Sequence, residues 1–152
     1  MEFEKIKEGL LKACEAYVKQ RQATAKDAIA EAKAAAAEET KSSAGDKYET
    51  GRAMAQLAEE RAQSQLTEAN KLAEGLALVN RADAGPKADL GSLVITPQAQ
   101  YYLAISLGKL TWDGTDYFVV SPASPIGQAL KGARTGDKVS FQGRSLSITQ
   151  VI

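Results

Sequence analysis

Two carboxylates, Asp46 and Glu49, form the most chemically suggestive spacing in the sequence. The D-x-x-E interval places both acids on one side of a helix, because residues three positions apart are neighbours on a helical surface. They belong to the segment SSAGDKYETGR, Ser42–Arg52, where a glycine-containing reversal separates two long proline-free stretches. Such a reversal between two helical stretches is typical of a helical hairpin. The pattern indicates a hairpin whose tip delivers negative charge to a distant site.

The acids near this reversal also have structural interpretations. Ser43 and Asp46 match the S-x-x-D spacing of a capping box, and an acid in a first helical turn complements the helix dipole. A second acidic pair, Glu38 and Glu39, is expected in the last turn of the first helix, where the dipole disfavours anions. Exposed glutamates there cost only about a few tenths of a kcal/mol. Asp46, Glu38 and Glu39 can therefore be interpreted either as structural residues of the helix ends or as functional residues.

The stretches on either side of the reversal, roughly 4–41 and 42–81, repeat apolar residues at spacings of three, four and seven. This pattern favours an antiparallel pair of helices with a coiled-coil seam, and Cys14 is expected to pack inside it as a small apolar residue. The predicted seam residues are Phe3, Ile6, Leu10, Ala13, Tyr17, Thr24, Ala28, Ala32 and Ala35 in the first helix, and Met54, Leu57, Ala58, Ala62, Leu66, Ala69, Leu72, Leu76 and Val79 in the second.

Composition excludes several classes of function. Nineteen basic and nineteen acidic residues balance, so we expect no independent high-affinity binding of nucleic acid. The sequence has no histidine, which excludes Ser-His-Asp and Cys-His catalysis and the usual His-based metal sites. A single cysteine fits a reducing compartment, and no stretch approaches the ~18 apolar residues of a membrane span. The N-terminus also lacks the apolar run of a signal peptide. We therefore expect a cytoplasmic protein with no membrane association.

Composition changes abruptly at Ala82–Asp89, since all four prolines and the single tryptophan lie from Pro86 onward. The change predicts an α+β protein with two domains, a coiled-coil hairpin over 1–84 and a small module over 85–152. Within the module Ser124–Gly132 predicts a short helix, with Ser124 as N-cap, Pro125 at the first position and Gly132 at the end. The predicted strands of a mainly antiparallel sheet are Ser92–Thr96, Tyr101–Leu107, Tyr117–Ser121, Lys138–Gln142 and Leu146–Val151.

The run SPASPIGQALKGARTGDKVSF resembles the C-terminal signature of the bacterial Gre transcript-cleavage factors. The predicted layout, an antiparallel coiled coil followed by a compact FKBP-like α+β domain, resembles that family as well. The residues that match the signature are Ser124, Pro125, Ile126, Gly127, Ala129, Leu130, Gly132, Gly136, Asp137 and Val139.

The resemblance implies a transcription elongation factor that binds DNA-directed RNA polymerase and is not itself an enzyme. In that family the globular domain docks at the rim of the polymerase secondary channel, and the coiled coil enters the channel. Acidic residues at its tip help to hold the second Mg²⁺ and a water, so that the polymerase itself cleaves backtracked RNA near the 3′ end. The free protein is then expected to bind no metal and to have no cofactor of its own.

The family's acidic pair carries over to Asp46 and Glu49, with Glu38 and Glu39 as the second choice. Its neighbouring tyrosine and arginine carry over to Tyr48 and Arg52. The docking contacts are expected along the short helix and the loop before it, at Pro122, Ser124, Pro125, Ile126 and Leu130.

Other functions stay open at this point. Aligning Tyr48 with the family's tyrosine puts Lys41 and Ala44 at the two acidic positions, and the family includes members with altered tips that inhibit the polymerase. A Gre-like regulator that acts without cleavage is therefore one alternative. A non-enzymatic coiled-coil adaptor is another. A prolyl isomerase is suggested only by the FKBP-like shape, and a fold alone does not carry a function.

Overall fold

The computed structural model describes the backbone of residues 2–41, 45–83 and 85–152, and their side chains except at 39–41 and 45–49. Two long helices, α1 (Glu2–Lys41) and α2 (Gly45–Arg81), precede a region of short strands. The protein is therefore α+β, with a helical hairpin followed by a small sheet domain, which confirms the predicted fold class. In the described part of the chain, no helix combines the length and the apolar character needed to cross a membrane.

Contacts divide the chain into two compact units. The hairpin unit is Ala16–Ala73, and the sheet unit combines Met1–Glu15 with Glu74–Ile152. The ends of both long helices therefore group with the strands. The predicted domains, 1–84 and 85–152, are defined by the change in composition along the sequence. The two units are defined by contacts between residues, so their boundaries differ from the predicted ones.

The two helices pair within the hairpin unit through polar and small side chains. Gln22 Nε2 donates a hydrogen bond to Asn70 Oδ1 at 2.9 Å, and an Arg21–Glu68 ion pair of 3.9 Å lies beside it. These contacts join residues at similar distances from the reversal, as an antiparallel hairpin requires. The residues buried between the helices of this unit follow a seven-residue repeat, which keeps them on one seam: Val18, Ala25 and Ala32 in α1, and Ala55, Ala62 and Ala69 in α2.

The predicted seam is correct for some residues and wrong for others. Leu10, Ala32, Ala62, Ala69, Leu76 and Val79 are buried as predicted, and Cys14 is buried beside them. Alanine occurs on several faces of both helices, so its periodicity does not identify the buried face. The prediction relied on bulkier residues, and several of these lie outside the seam. The residues predicted to lie in the seam but found exposed are Tyr17, Thr24, Ala35, Met54, Leu57 and Ala58.

Among its described residues, the sheet unit contains seven strands and one short helix. They are β1 (Leu93–Ile95), β2 (Gln100–Leu103), β3 (Gly108–Trp112), β4 (Thr115–Val120), α3 (Pro125–Leu130), β5 (Lys138–Phe141), β6 (Arg144–Ser147) and β7 (Gln150–Val151). The main sheet has the order β3-β4-β2-β1-β7, in which β2 and β4 pair in parallel and the other neighbours are antiparallel. Strands β5 and β6 form a separate antiparallel pair.

The predicted strands are present with shifted ends, and the last of them, 146–151, divides between β6 and β7. Strand β3 was not predicted. Its sequence, GKLTW, places Lys109 and Thr111 outward at the edge of the sheet. The short apolar alternation of an edge strand is a weak signal.

The main sheet buries side chains on both faces. On one face Val94 and Leu103 join a core cluster with Leu130 of α3 and with Ala88, Ala133 and Ile148. Successive strand residues point to opposite faces, so Tyr102 and Val119 lie on the other face, where both are buried.

The bases of α1 and α2 pack within the sheet unit. The Trp112 indole lies against the backbone of Gly9, and Gly75 faces the Ile105 side chain. Lys7 Nζ donates a hydrogen bond to the Ile152 carbonyl oxygen at 3.1 Å. Helix residues 2–15 are therefore part of the core that holds the strands.

Candidate functional site

The acidic pair of the reversal lies at the start of α2. Helix α2 begins at Gly45, so Asp46 and Glu49 are among its first five residues. Because they are three positions apart, their backbones lie about one helical turn from each other. Their side chains and that of Tyr48 lie outside the described residues. The structure therefore places Asp46 and Glu49 on one helix, and the orientation of their carboxylates stays a prediction.

The remaining residues of the predicted tip are partly described. Glu38 lies in the last turn of α1 with an exposed side chain, and Arg52 in α2 is exposed as well. The side chain of Glu39 lies outside the described residues. Over the residues for which the structure places side chains, no group of three or more Asp, Glu, His or Cys could hold a metal ion.

The predicted short helix is present as α3, with the predicted start and end. Ser124 is the N-cap, because its Oγ accepts a hydrogen bond from the Gly127 amide at 3.1 Å. The same hydroxyl donates to the Ser121 carbonyl oxygen at 2.6 Å. Pro125 occupies the first turn, and Gly132 follows the helix with a φ of 84°.

Gly127 allows the close approach of the loop before α3. A Cβ atom there would overlap the Ser121 carbonyl oxygen and would lie 2.9 Å from Pro122 Cα. The clash is with backbone, which cannot turn aside as a flexible side chain can. Three residues of the Ser-Pro-Ile-Gly run therefore have a structural role. Ser124 caps the helix, Pro125 begins it, and Gly127 allows the close contact.

The structure sorts the predicted docking residues by exposure. Pro125 is exposed, while Pro122, Ser124 and Ile126 are half-buried, so each has some surface to offer a partner. Leu130 is fully buried in the core cluster. The prediction that Leu130 touches a partner is corrected for this reason, since its side chain holds α3 on the sheet and presents no surface.

An aromatic pair in which one ring is exposed and the other is half-buried was missed by sequence analysis. Phe118 of β4 is 38% exposed and stands opposite Tyr101 of β2, with 5.9 Å between the ring centroids. Tyr101 packs against the same core cluster as Ile126. We call Tyr101, Phe118 and Ile126 the apolar face. The sequence of β4, TDYFVV, is apolar throughout its second half, so nothing in it signals that Phe118 is exposed between the buried Tyr117 and Val119.

Polar groups border the apolar face at the sheet edge. Asp116 accepts a hydrogen bond from Thr111 Oγ1 at 2.6 Å and pairs with Lys109 Nζ at 3.3 Å. The Thr111 hydrogen bond and then Lys109 hold the pKa of the Asp116 carboxyl below its ordinary value. Lys109 is itself the cross-strand partner of Phe118. An exposed ring beside a satisfied ion pair resembles the apolar centre and polar rim of a protein interface.

Comparisons with known proteins give matches among solved structures, of which two are described here. No family model and no curated protein matches the sequence. A solved structure of the transcription factor Gfh1 matches at 20% identity, covering 90% of this chain and 91% of that chain, with a TM-score of 0.37. The GreA factor homolog 1 (Gfh1) protein of Thermus thermophilus matches at 19% identity, covering 90% and 93%, with a TM-score of 0.34. Identities and TM-scores this low carry no conclusion about function or site residues.

Proposed function

We propose that this protein is a Gre-like transcription elongation factor. It binds DNA-directed RNA polymerase at the secondary channel and stimulates cleavage of backtracked RNA by the polymerase's own active site. The observation that carries the proposal is the Ser124–Gly132 motif, which folds as a capped helix on a sheet domain in a chain that begins with a long helical hairpin. A cytoplasmic location follows from the proposed partner.

The hairpin suits passage through a channel. Helix α1 has 40 residues, and a rise of 1.5 Å per residue gives it a length of about 60 Å. The buried seam of the hairpin unit is mostly alanine, and small seam residues allow two helices to approach closely. The result is a slender pair of helices with an acidic reversal at its end.

The proposed chemistry at the reversal needs only carboxylate oxygens. Mg²⁺ prefers hard oxygen ligands and keeps several waters, so one or two added carboxylates complete a weak site. In the proposal Asp46 and Glu49 offer these oxygens to the second Mg²⁺ of the polymerase and to a nearby water. That ion stabilises the charge that develops during phosphodiester hydrolysis. The factor itself performs no reaction, and it approaches the RNA only near the 3′ end.

Docking is assigned to the loop before α3 and to the apolar face. Pro122, Pro125 and Ile126 supply exposed and half-buried surface at the motif, and Phe118 adds an exposed ring. Aromatic residues at the centre of an interface often contribute more than 1 kcal/mol to binding. An aromatic ring also loses little side-chain freedom when it is covered, because its side chain has only two χ angles.

Copurification of the full chain with core RNA polymerase tests this docking. We expect the wild type to coelute at moderate salt and Phe118→Ser to bind about tenfold more weakly, the loss expected for one interface aromatic. The matched control is Leu78→Ser, since Leu78 is an exposed apolar residue of the same unit, 57% exposed on α2. Failure of the folded wild type to coelute would reject the proposal. Equal losses in both variants would reject the assigned face.

A further inference from the structure

A cleft of about 220 Å³ lies in the sheet unit between the start of α1 and the β3–β4 hairpin. The proposed function uses none of its residues. We propose that this cleft accepts an arginine side chain of a protein partner. Its lining residues are Glu2, Lys5, Ile6, Trp112, Asp113, Thr115 and Tyr117.

Two aromatic rings form part of the cleft wall. Tyr117 is buried, and Trp112 is half-buried against the Gly9 backbone, where a substituent would clash with the ring. Close packing against α1 therefore restricts the indole on that side. Aromatic faces attract cations, and the planar guanidinium of arginine stacks on such rings better than an ammonium does.

The charges of the cleft favour a cation. Two carboxylates, Glu2 and Asp113, and one ammonium, Lys5, contribute a net charge of −1. Burial raises the pKa of the Tyr117 hydroxyl, and the negative charges of Asp113 and Glu2 raise it further. Both carboxylates line the same cleft as Tyr117, so a cation bound there would lie close to both.

The size of the cleft favours one side chain over a whole small molecule. Pockets for small molecules usually measure about 300–1,000 Å³, and this cleft is smaller. A single long side chain with a charged end fits the volume, the aromatic wall and the two carboxylates together.

The test is NMR titration of the ¹⁵N-labelled full chain, which has one tryptophan and hence one indole N–H signal. The probe is the peptide acetyl-Gly-Arg-Gly-amide, and the matched probe has citrulline, which is neutral, in place of arginine. Ionic strength is held constant with NaCl. We expect a saturable shift of the Trp112 indole signal with the arginine peptide, and a response at least about fivefold weaker with citrulline.

Two variants within the cleft and one control outside it locate the interaction. Asp113 has a φ of 49°, and asparagine tolerates this conformation, so Asp113→Asn keeps the turn while removing the charge. We expect it to weaken binding of the arginine peptide about three- to tenfold. Lys5→Gln should strengthen binding, and Lys12→Gln, on an exposed residue of α1 outside the cleft, should not. The proposal is overturned if no saturable shift occurs, if citrulline binds equally well, or if Asp113→Asn leaves the affinity unchanged.

Discussion

The Trp112 indole packs on the backbone of Gly9, at a place where no side chain fits. A Cβ atom at Gly9 would lie 2.7 Å from the ring carbon Cζ2 and closer still to two further ring atoms. Gly9 stands inside α1, where glycine costs about 1 kcal/mol relative to alanine. Tertiary packing therefore requires a residue that helix propensity disfavours.

Gly9→Ala should destabilise the protein. Overpacking costs about 1–3 kcal/mol, and the gain in helix propensity of about 1 kcal/mol offsets only part of it. Urea unfolding followed by the fluorescence of Trp112 measures the change. The control is Gly85→Ala, because a Cβ atom there would meet nothing within 4 Å. Equal stabilities for the two variants would contradict the packing described at Gly9.

The contact between Gly9 and Trp112 could not be predicted from the sequence. The long helices, the capped helix α3 and most strands follow from local patterns such as the Ser124 N-cap and the change of composition after Arg81. The approach of Gly9 to Trp112 depends on residues far apart in the chain, and no periodicity within α1 signals it. The apolar face could not be predicted for the same reason: whether Phe118 is exposed depends on which distant parts of the chain cover the sheet.

The alanine seam can be tested by comparing two neighbouring alanines of α2. Ala62 is 3% exposed, whereas Ala58 is exposed although its spacing also suggested the seam. Ala62→Leu should therefore lower the free energy of unfolding by about 1–3 kcal/mol through overpacking, and Ala58→Leu should change it by less than about 0.5 kcal/mol. Thermal unfolding followed by helical circular dichroism measures both. A larger loss for Ala58→Leu would mean that the seam is wrongly placed.

The Ser124 hydroxyl should stabilise α3 whether or not the motif binds a partner. It accepts from Gly127 and donates to Ser121, and loss of a serine N-cap costs about 0.5–2 kcal/mol. We expect Ser124→Ala to lower stability by about 1 kcal/mol in urea unfolding. Ser106→Ala, at an exposed serine of the same unit, should have no such effect. If Ser124→Ala weakens polymerase binding without loss of stability, its role is contact and not capping.

Stability should fall in alkaline solution because of Cys14. Burial and, to a smaller extent, the negative charge of Glu15 raise the pKa of the Cys14 thiol from 9.0 to about 11. The folded state thus retains a proton that the unfolded state releases, so the contribution is complete below pH 9 and is lost as pH rises toward 11. The loss should amount to about 1–3 kcal/mol.

Urea unfolding at pH 7.5 and pH 10.5 measures this decline for the wild type and for Cys14→Ala. The variant loses packing at both pH values, but its decline between them should be smaller. Burial and then the charge of Cys14 raise the pKa of Tyr102 to about 12. Removing Cys14 therefore also reduces the upward shift at Tyr102, so the comparison reports the two groups together. The same decline in both proteins would show that the thiol is not protected as described.

Cleavage of RNA in a backtracked elongation complex, with Mg²⁺ present, is the most direct test of the proposed function. We expect the wild type to stimulate shortening of the transcript from its 3′ end. The double variant Asp46→Asn with Glu49→Gln should still bind the polymerase but lose most of the stimulation, because the amides keep the shape and lack the charge. Glu31→Gln, at an exposed residue of α1, should retain full activity. Slowed transcription without cleavage would indicate an inhibitor, and wild-type cleavage by the double variant would contradict the role assigned to the acidic pair.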